Sequence, residues 1–258
     1  MKNMIKYIFC IIFILIISII IFINKNLIFL FFNNLYNSFN RTLIEEDRYI
    51  LILKGLKSTI IISCLSILFG TIFGFILFLI RKSKFKIIKF FSKLFVTLIQ
   101  GTPVTVLLLI FYYAIFGLID INPIIVAIIT FSIYFSAYVS EIFRGAYASI
   151  NQTQIYSAYA LGFTKIQTLK FIILPQVLSY MIPVFKNESV SLIKSTSIAG
   201  YISIMDLTKA SDIIRNRIYE AFFPLIFTAL IYFLICFIIS KILDFIYKKI
   251  NPRKVNNV

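Results

Sequence analysis

Long apolar runs separated by short polar or basic stretches set the pattern of this chain. About 20 apolar residues suffice for a helix to cross the hydrocarbon core of a bilayer. The stretches 5–32, 51–80, 94–118, 122–143, 184–205 and 221–247 meet that requirement and are read as spans. The first follows Lys2 and Lys6 and runs without charge from Tyr7 to Asn24. It lacks a small-x-small cleavage site and exceeds the usual length of a signal core, so 1–32 is expected to stay as a membrane anchor. The segment 33–50, which holds Glu45, Glu46 and Asp47, reads as a short loop or amphipathic turn before the second span. Between the fourth and fifth spans, 144–175 is too polar to cross. Its pattern predicts two short helices broken near Gly162-Phe163, since glycine destabilises a helix interior and tolerates a turn. Pro175 is expected to end this loop and kink the chain into the next span.

Composition makes the membrane assignment firm. With 60% hydrophobic residues and a mean hydropathy of +0.98 over 258 residues, the chain has too little polar surface for a water-soluble fold. It reads as an all-α polytopic membrane protein. The net charge of +16 arises from basic residues set beside the apolar runs, where they orient a chain against the bilayer. With the N-terminus inside, most of the 26 Lys and Arg face the cytoplasm and most of the 10 acidic residues face outward. That arrangement expects both termini and 144–175 on the cytoplasmic side, and 33–50 outside. The run Arg81-Lys82-Ser83-Lys84-x-Lys86 is read as part of this orientation signal and as lipid contact, with no nucleic-acid partner.

The absence of histidine removes the commonest general base and the commonest metal ligand, so Ser-His-Asp hydrolysis, zinc and haem-His chemistry are excluded. Cys10, Cys64 and Cys236 lie apart in apolar runs and read as small packing residues. No G-x-x-x-x-G-K-[ST] sequence occurs, so an ATP-driven role needs a nucleotide-binding partner. No metal and no cofactor are expected in this chain. Within the fifth span, Glu188 and Lys194 are costly at hydrocarbon depth and are expected to face the bundle interior or a watery path. For Glu188, nearer the cytoplasmic end, snorkelling in a purely structural role is an equal alternative, while the deeper Lys194 favours the pathway. Their spacing places them on different sides of a helix. Gly70-x-x-x-Gly74 in the second span offers a small-residue face for close helix approach.

Inside 141–175 the order Gln154, Ala158, Ala160-Leu161-Gly162, Ile172, Leu174-Pro175 resembles the cytoplasmic "EAA" loop of ABC-importer permease subunits, with their G-x9-I-x-L-P spacing. The resemblance covers about residues 51–247. Gln100-Gly101-Thr102-Pro103, Ala137-Tyr138-x-Ser140-Glu141-x-x-Arg144-Gly145, Leu174-Pro175-Gln176, Asn187-Glu188 and Lys194-Ser195-Thr196-Ser197 resemble segments of the polar amino-acid subfamily of type I importers. Three motifs depart from that pattern: Tyr156-Ser157-Ala158 stands for Glu-Ala-Ala, Gln100 for Arg, and Ser195 for Asp.

The resemblance implies a type I ABC-importer permease fold, a five-helix core in 51–250 with one extra N-terminal transmembrane helix. It implies a multi-pass subunit of the bacterial cytoplasmic (inner) membrane, paired with a second permease chain of the same or a related kind. A cytoplasmic ABC ATPase would dock on Gln154, Tyr156, Ser157, Ala158, Leu161, Gly162 and Phe163, and an extracytoplasmic amino-acid-binding protein would deliver substrate. Thr196 and Ser197 join Glu188 and Lys194 as pathway candidates. An assembly or scaffold protein could use 144–175 only to dock a partner, but it would not need Lys194 in a span. An ion channel would need a filter-like carbonyl segment or acidic ring, and neither is visible.

Overall fold

The computed structural model describes residues 25–250, and every element among them is helical. Most of the expected first span, its cleavage, Cys10 and both termini fall outside the described residues. Among the described residues the first helix, α1, is Lys25–Phe39. A wide turn at Asn40–Ile44 and a 3-10 turn at Glu45–Asp47 connect it to α2, Tyr49–Arg81. The link is thus 40–48, shorter than the expected 33–50. Buried Arg48 holds it together, pairing with Glu45 at 3.6 Å and Glu46 at 3.1 Å and donating to the Arg41 carbonyl.

Helix α2 packs along α5, Pro123–Ala148. A Cβ at Gly70 would lie 2.9 Å from the Phe135 Cβ, and one at Gly74 would lie 2.6 Å from the Val139 Cβ. The small-residue face is therefore where two backbones meet, as expected. Ile62, Leu108, Phe131, Phe135, Val139 and Leu192 fill the core around this contact. Buried hydroxyls of Ser63, Thr130, Ser132 and Ser189 donate to carbonyls one turn back, which satisfies them without a partner helix.

The expected span 94–118 is not one rod. Helix α3, Lys86–Gly101, meets α4, Val104–Leu109, which continues as a wide turn through Ile115, and the two are bent by 106°. Thr102 is extended because it precedes Pro103, whose ring cannot accept the α conformation before it and offers no N–H to continue the ladder.

After α5 come α6, Gln152–Ala160, and α7, Lys165–Thr168. A wide turn at Leu169–Ile173 carries α7 into α8, Leu174–Ser195, which ends in a 3-10 segment, Thr196–Ile202. The fifth span is consequently longer than 184–205: Lys165–Ile202 forms one apolar run. Pro175 does not end it. It sits in the first turn of α8, where the wide turn has already displaced the hydrogen-bond register and the missing N–H costs nothing.

A helix not foreseen from the sequence, α9 (Leu207–Ile218), crosses the start of α2. Its carbonyl at Asp206 passes so close that a Cβ at Gly55 would lie 2.7 Å from it, and the Leu207 N–H donates to the Thr59 Oγ at 3.2 Å. Leu207, Ala210 and Ile214 bury their apolar stripe with Ile52 and Leu43. The last helix, α10 (Phe222–Ile250), runs back along α8. Among the described residues, four helical runs are long and apolar enough to span a membrane, or five if the bent α3–α4 pair counts as one. Cys64 points outward instead of packing inside, and Cys236 is half-buried.

Candidate functional site

The polar segment after α5 is built by short-range chemistry. Asn151 caps α6, its side chain accepting from the Thr153 N–H at 2.9 Å. The helix ends because Gly162 takes φ +82°, a left-handed conformation that suits glycine. The Phe163 N–H then reaches the Ala158 carbonyl and the Gly162 N–H the Tyr159 carbonyl, both at 3.0 Å. That pair of bonds is a Schellman ending. Two residues on, Thr164 and Gln167 form a reciprocal capping box that starts α7, with bonds of 2.8 and 3.3 Å. The T-x-x-Q signature was readable from sequence and was missed there.

This turn is anchored to the spans on one face and open on the other. Ile155 is buried with Ile142, Ile150, Ile173, Val177 and Met181, and Tyr247 and Ile250 at the end of α10 pack against the same cluster. The Gln176 amide in α8 donates to the Gln154 Oε1 at 2.8 Å, a direct link from the turn to a span. On the open side, Gln154, Ser157, Ala158, Leu161 and Phe163, with Asn151, Thr153 and Ile172, line a groove of about 450 Å³. Leu161 is 78% exposed. Of the seven residues expected to dock a partner, five line the groove. Gly162 makes its turn, and Tyr156 points away from it into open space at 67% exposure. Such an apolar, exposed surface beside capped helix ends suits a protein partner.

A second site lies between α8 and α10. A cavity of about 1010 Å³ is lined by Lys186, Asn187, Lys194 and Ser197 on one wall and by Thr228 and Tyr232 on the other. Lys194 is exposed to this cavity and forms no ion pair among the described residues. Near the α9 end, the Tyr232 hydroxyl lies 3.3 Å from the Thr208 Oγ. The Thr228 hydroxyl is buried and unpartnered. At the other end, Lys186 pairs with Asp244 at 2.7 Å. The structure separates the sequence-predicted pathway residues: Lys194 and Ser197 line the cavity, whereas Thr196 is fully buried and donates to the Ile193 carbonyl at 2.7 Å, and Glu188 is not part of the cavity wall. Thr208, Thr228 and Tyr232 were not anticipated, because a lone hydroxyl carries no signal in the sequence about which distant neighbour it meets.

Asp206 lies outside the spans and caps α9, accepting from the Thr208 and Lys209 N–H groups at 3.0 and 3.2 Å. Burial pushes its carboxyl above the usual carboxylate range, more than those two backbone donors pull it down.

Known proteins share this arrangement. The chain is 34% identical over 207 residues to a probable amino-acid ABC transporter permease protein of Bacillus subtilis, covering 80% of this chain and 91% of that one. It is 33% identical to the L-cystine transport system permease protein of the same bacterium, covering 81% and 90%, and 32% identical to a putative glutamine transport system permease protein of Rickettsia bellii, covering 80% and 95%. Among solved structures, an amino acid ABC transporter crystallised with histidines superposes with a TM-score of 0.70 at 30% identity, over 78% of this chain and 94% of that one. The inward-facing MetNI methionine ABC transporter, at 16% identity and a TM-score of 0.65, shares the fold. The chain is thus a transport permease component and not an enzyme. The family described as the inner membrane component of binding-protein-dependent transport systems matches residues 66–255, and with its helix-turn-helix segment docked on a bundle of spans this chain belongs to that family.

Proposed function

We propose that this chain is the permease subunit of an ATP-driven importer of amino acids. The observation that carries the coupling role is the Gly162 turn: an exposed groove tied by the Gln176–Gln154 bond and the Ile155 cluster to α5, α8 and α10. A cytoplasmic ABC ATPase seated in that groove would move three spans together, so closure of the ATPase pair would shift the bundle between inward-open and outward-open states. A second permease chain would complete the pathway, and an extracytoplasmic binding protein would supply substrate. Both termini and the turn then face the cytoplasm, in keeping with the basic residues on that side. The relatives named for amino acids, L-cystine and glutamine support the substrate class.

In the cavity, the unpaired Lys194 ammonium can take a substrate carboxylate, and the Ser197, Thr228 and Tyr232 hydroxyls can meet its amino group and side chain. Leu161→Asp places a charge in the middle of the groove. It is expected to abolish co-purification of the partner ATPase from membranes while the chain still inserts and folds. Undiminished ATPase capture and uptake by this variant would remove the groove from the coupling role.

A further inference from the structure

A basic pocket at the base of the coupling turn takes no part in the proposed coupling groove or substrate cavity. Its volume is about 310 Å³, within the range of small-ligand sites, and it is walled by Arg81 and Lys82 at the end of α2, Lys89 and Lys93 on α3, and Arg144 and Tyr147 at the end of α5. Five cations surround it. The nearby carboxylate is Glu141, and it is fully engaged: Arg81 binds one oxygen at 2.6 Å and Arg144 grips the other through two nitrogens, each at 2.6 Å. Arg81 also donates to the Ser140 Oγ at 3.3 Å. The Lys82 ammonium sits 3.7 Å above the Tyr147 ring, and Lys89 and Lys93, one turn apart on α3, have no ion pair among the described residues. Orientation of the chain requires basic residues near the membrane, but it does not require them to converge from three helices on one cavity.

We infer that this pocket binds the phosphate-bearing headgroup of an anionic lipid. Like charges drawn together repel unless an anion neutralises them, and a phosphate offers several acceptor oxygens to several donors at once. The lipid, and not free phosphate, is indicated by what surrounds the pocket. Phe85, just before α3, and Ile87, Phe90 and Phe91 on its other faces are each more than 60% exposed, so the helix presents an apolar surface beside its lysines, as interfacial helices do. The same three helices also wall an apolar groove of about 730 Å³, past Phe69, Phe73, Ile80 and Phe95, with room for an acyl chain. Basic pockets between spans at the membrane surface take anionic headgroups. Because Arg144 and Tyr147 stand in the last turns of α5, just before the Asn151 cap, a headgroup here braces α3 against the root of the coupling turn.

The test uses the purified full-length chain in detergent micelles doped with phosphatidylglycerol or phosphatidylcholine, with retained lipid read by native mass spectrometry. A phosphatidylglycerol adduct is expected in preference to phosphatidylcholine. Lys89→Gln/Lys93→Gln should weaken retention on the order of tenfold, and Lys89→Arg/Lys93→Arg should keep it. Lys84→Gln/Lys86→Gln, which removes the same charge outside the pocket, should leave retention unchanged. Equal loss from the 89/93 and 84/86 pairs would show a diffuse interfacial charge and overturn the site, as would equal retention of the two lipids. If millimolar inorganic phosphate alone raised the melting temperature through Lys89 and Lys93 and phosphatidylglycerol did not compete, the lipid assignment would fall. Matching melting temperatures of all variants in lipid-free detergent exclude misfolding as the cause.

Discussion

Two positions, one through its backbone and one through its side chain, show how much a single residue controls. At Gly162 a Cβ would meet nothing within 4 Å, so the constraint is the φ of +82° alone. Gly162→Ala should therefore cost about 1 kcal/mol through backbone strain, with a partial loss of uptake. Gly162→Asn, which visits this region more easily, should retain most transport, whereas Gly162→Pro cannot adopt the angle and should uncouple ATP hydrolysis from uptake. Uptake assays with ATPase measurements in proteoliposomes read all three. Asp206 poses a different balance between a cap and a buried charge. Its carboxyl is raised by burial, so its favourable contribution is full below the ordinary carboxylate range and is lost as pH rises through the raised value. Asp206→Asn keeps the cap and removes this dependence, so the stability of the parent relative to the variant should fall as pH rises from 4 to 8. Asp206→Ala should lose the cap, at about 1 kcal/mol. Thermal unfolding in detergent across pH separates the two.

Among the helices, the close-approach face of α2 was legible from sequence, although its partner α5 was not, and the α3–α4 break was not. Gly70-x-x-x-Gly74 announces a close approach because nothing but a missing side chain is needed to allow one. Gly74→Ala should destabilise the chain by about 1–3 kcal/mol, as overpacking does, since its Cβ would lie 2.6 Å from the Val139 Cβ. Gly145→Ala, where a Cβ meets nothing within 4 Å, should be neutral or slightly stabilising in the same unfolding measurement. The break at Gly101-Thr102-Pro103 was hidden because the apolar composition continues across it, and hydropathy does not report direction. Pro103 was the available signal, and there the local rule won over the apolar run. At Pro175 the outcome reversed, because a wide turn upstream had absorbed the missing donor.

For the molecule as a whole, the α8–α10 cavity depends on how distant segments are brought together. Lys194 came from its depth in an apolar run, but its companions Thr208, Thr228 and Tyr232 come from two other helices. Lys194→Met should raise the KM for uptake on the order of tenfold, the size of a lost charge-assisted hydrogen bond, with ATPase docking unchanged. An unaltered uptake curve would take Lys194 out of the pathway. The approximate places of the apolar runs in 51–247, the Gly162 turn and the likeness to importer permeases could be read from the chain because partition into hydrocarbon and backbone strain act over a few residues. The placement of α9 over Gly55, the bond from Leu207 to Thr59, the separation of Glu188 and Thr196 from the cavity and the gathering of five cations around one pocket could not. Each of these joins residues far apart in sequence, and their meeting is fixed by how whole helices pack, which no local pattern of apolar and polar positions encodes.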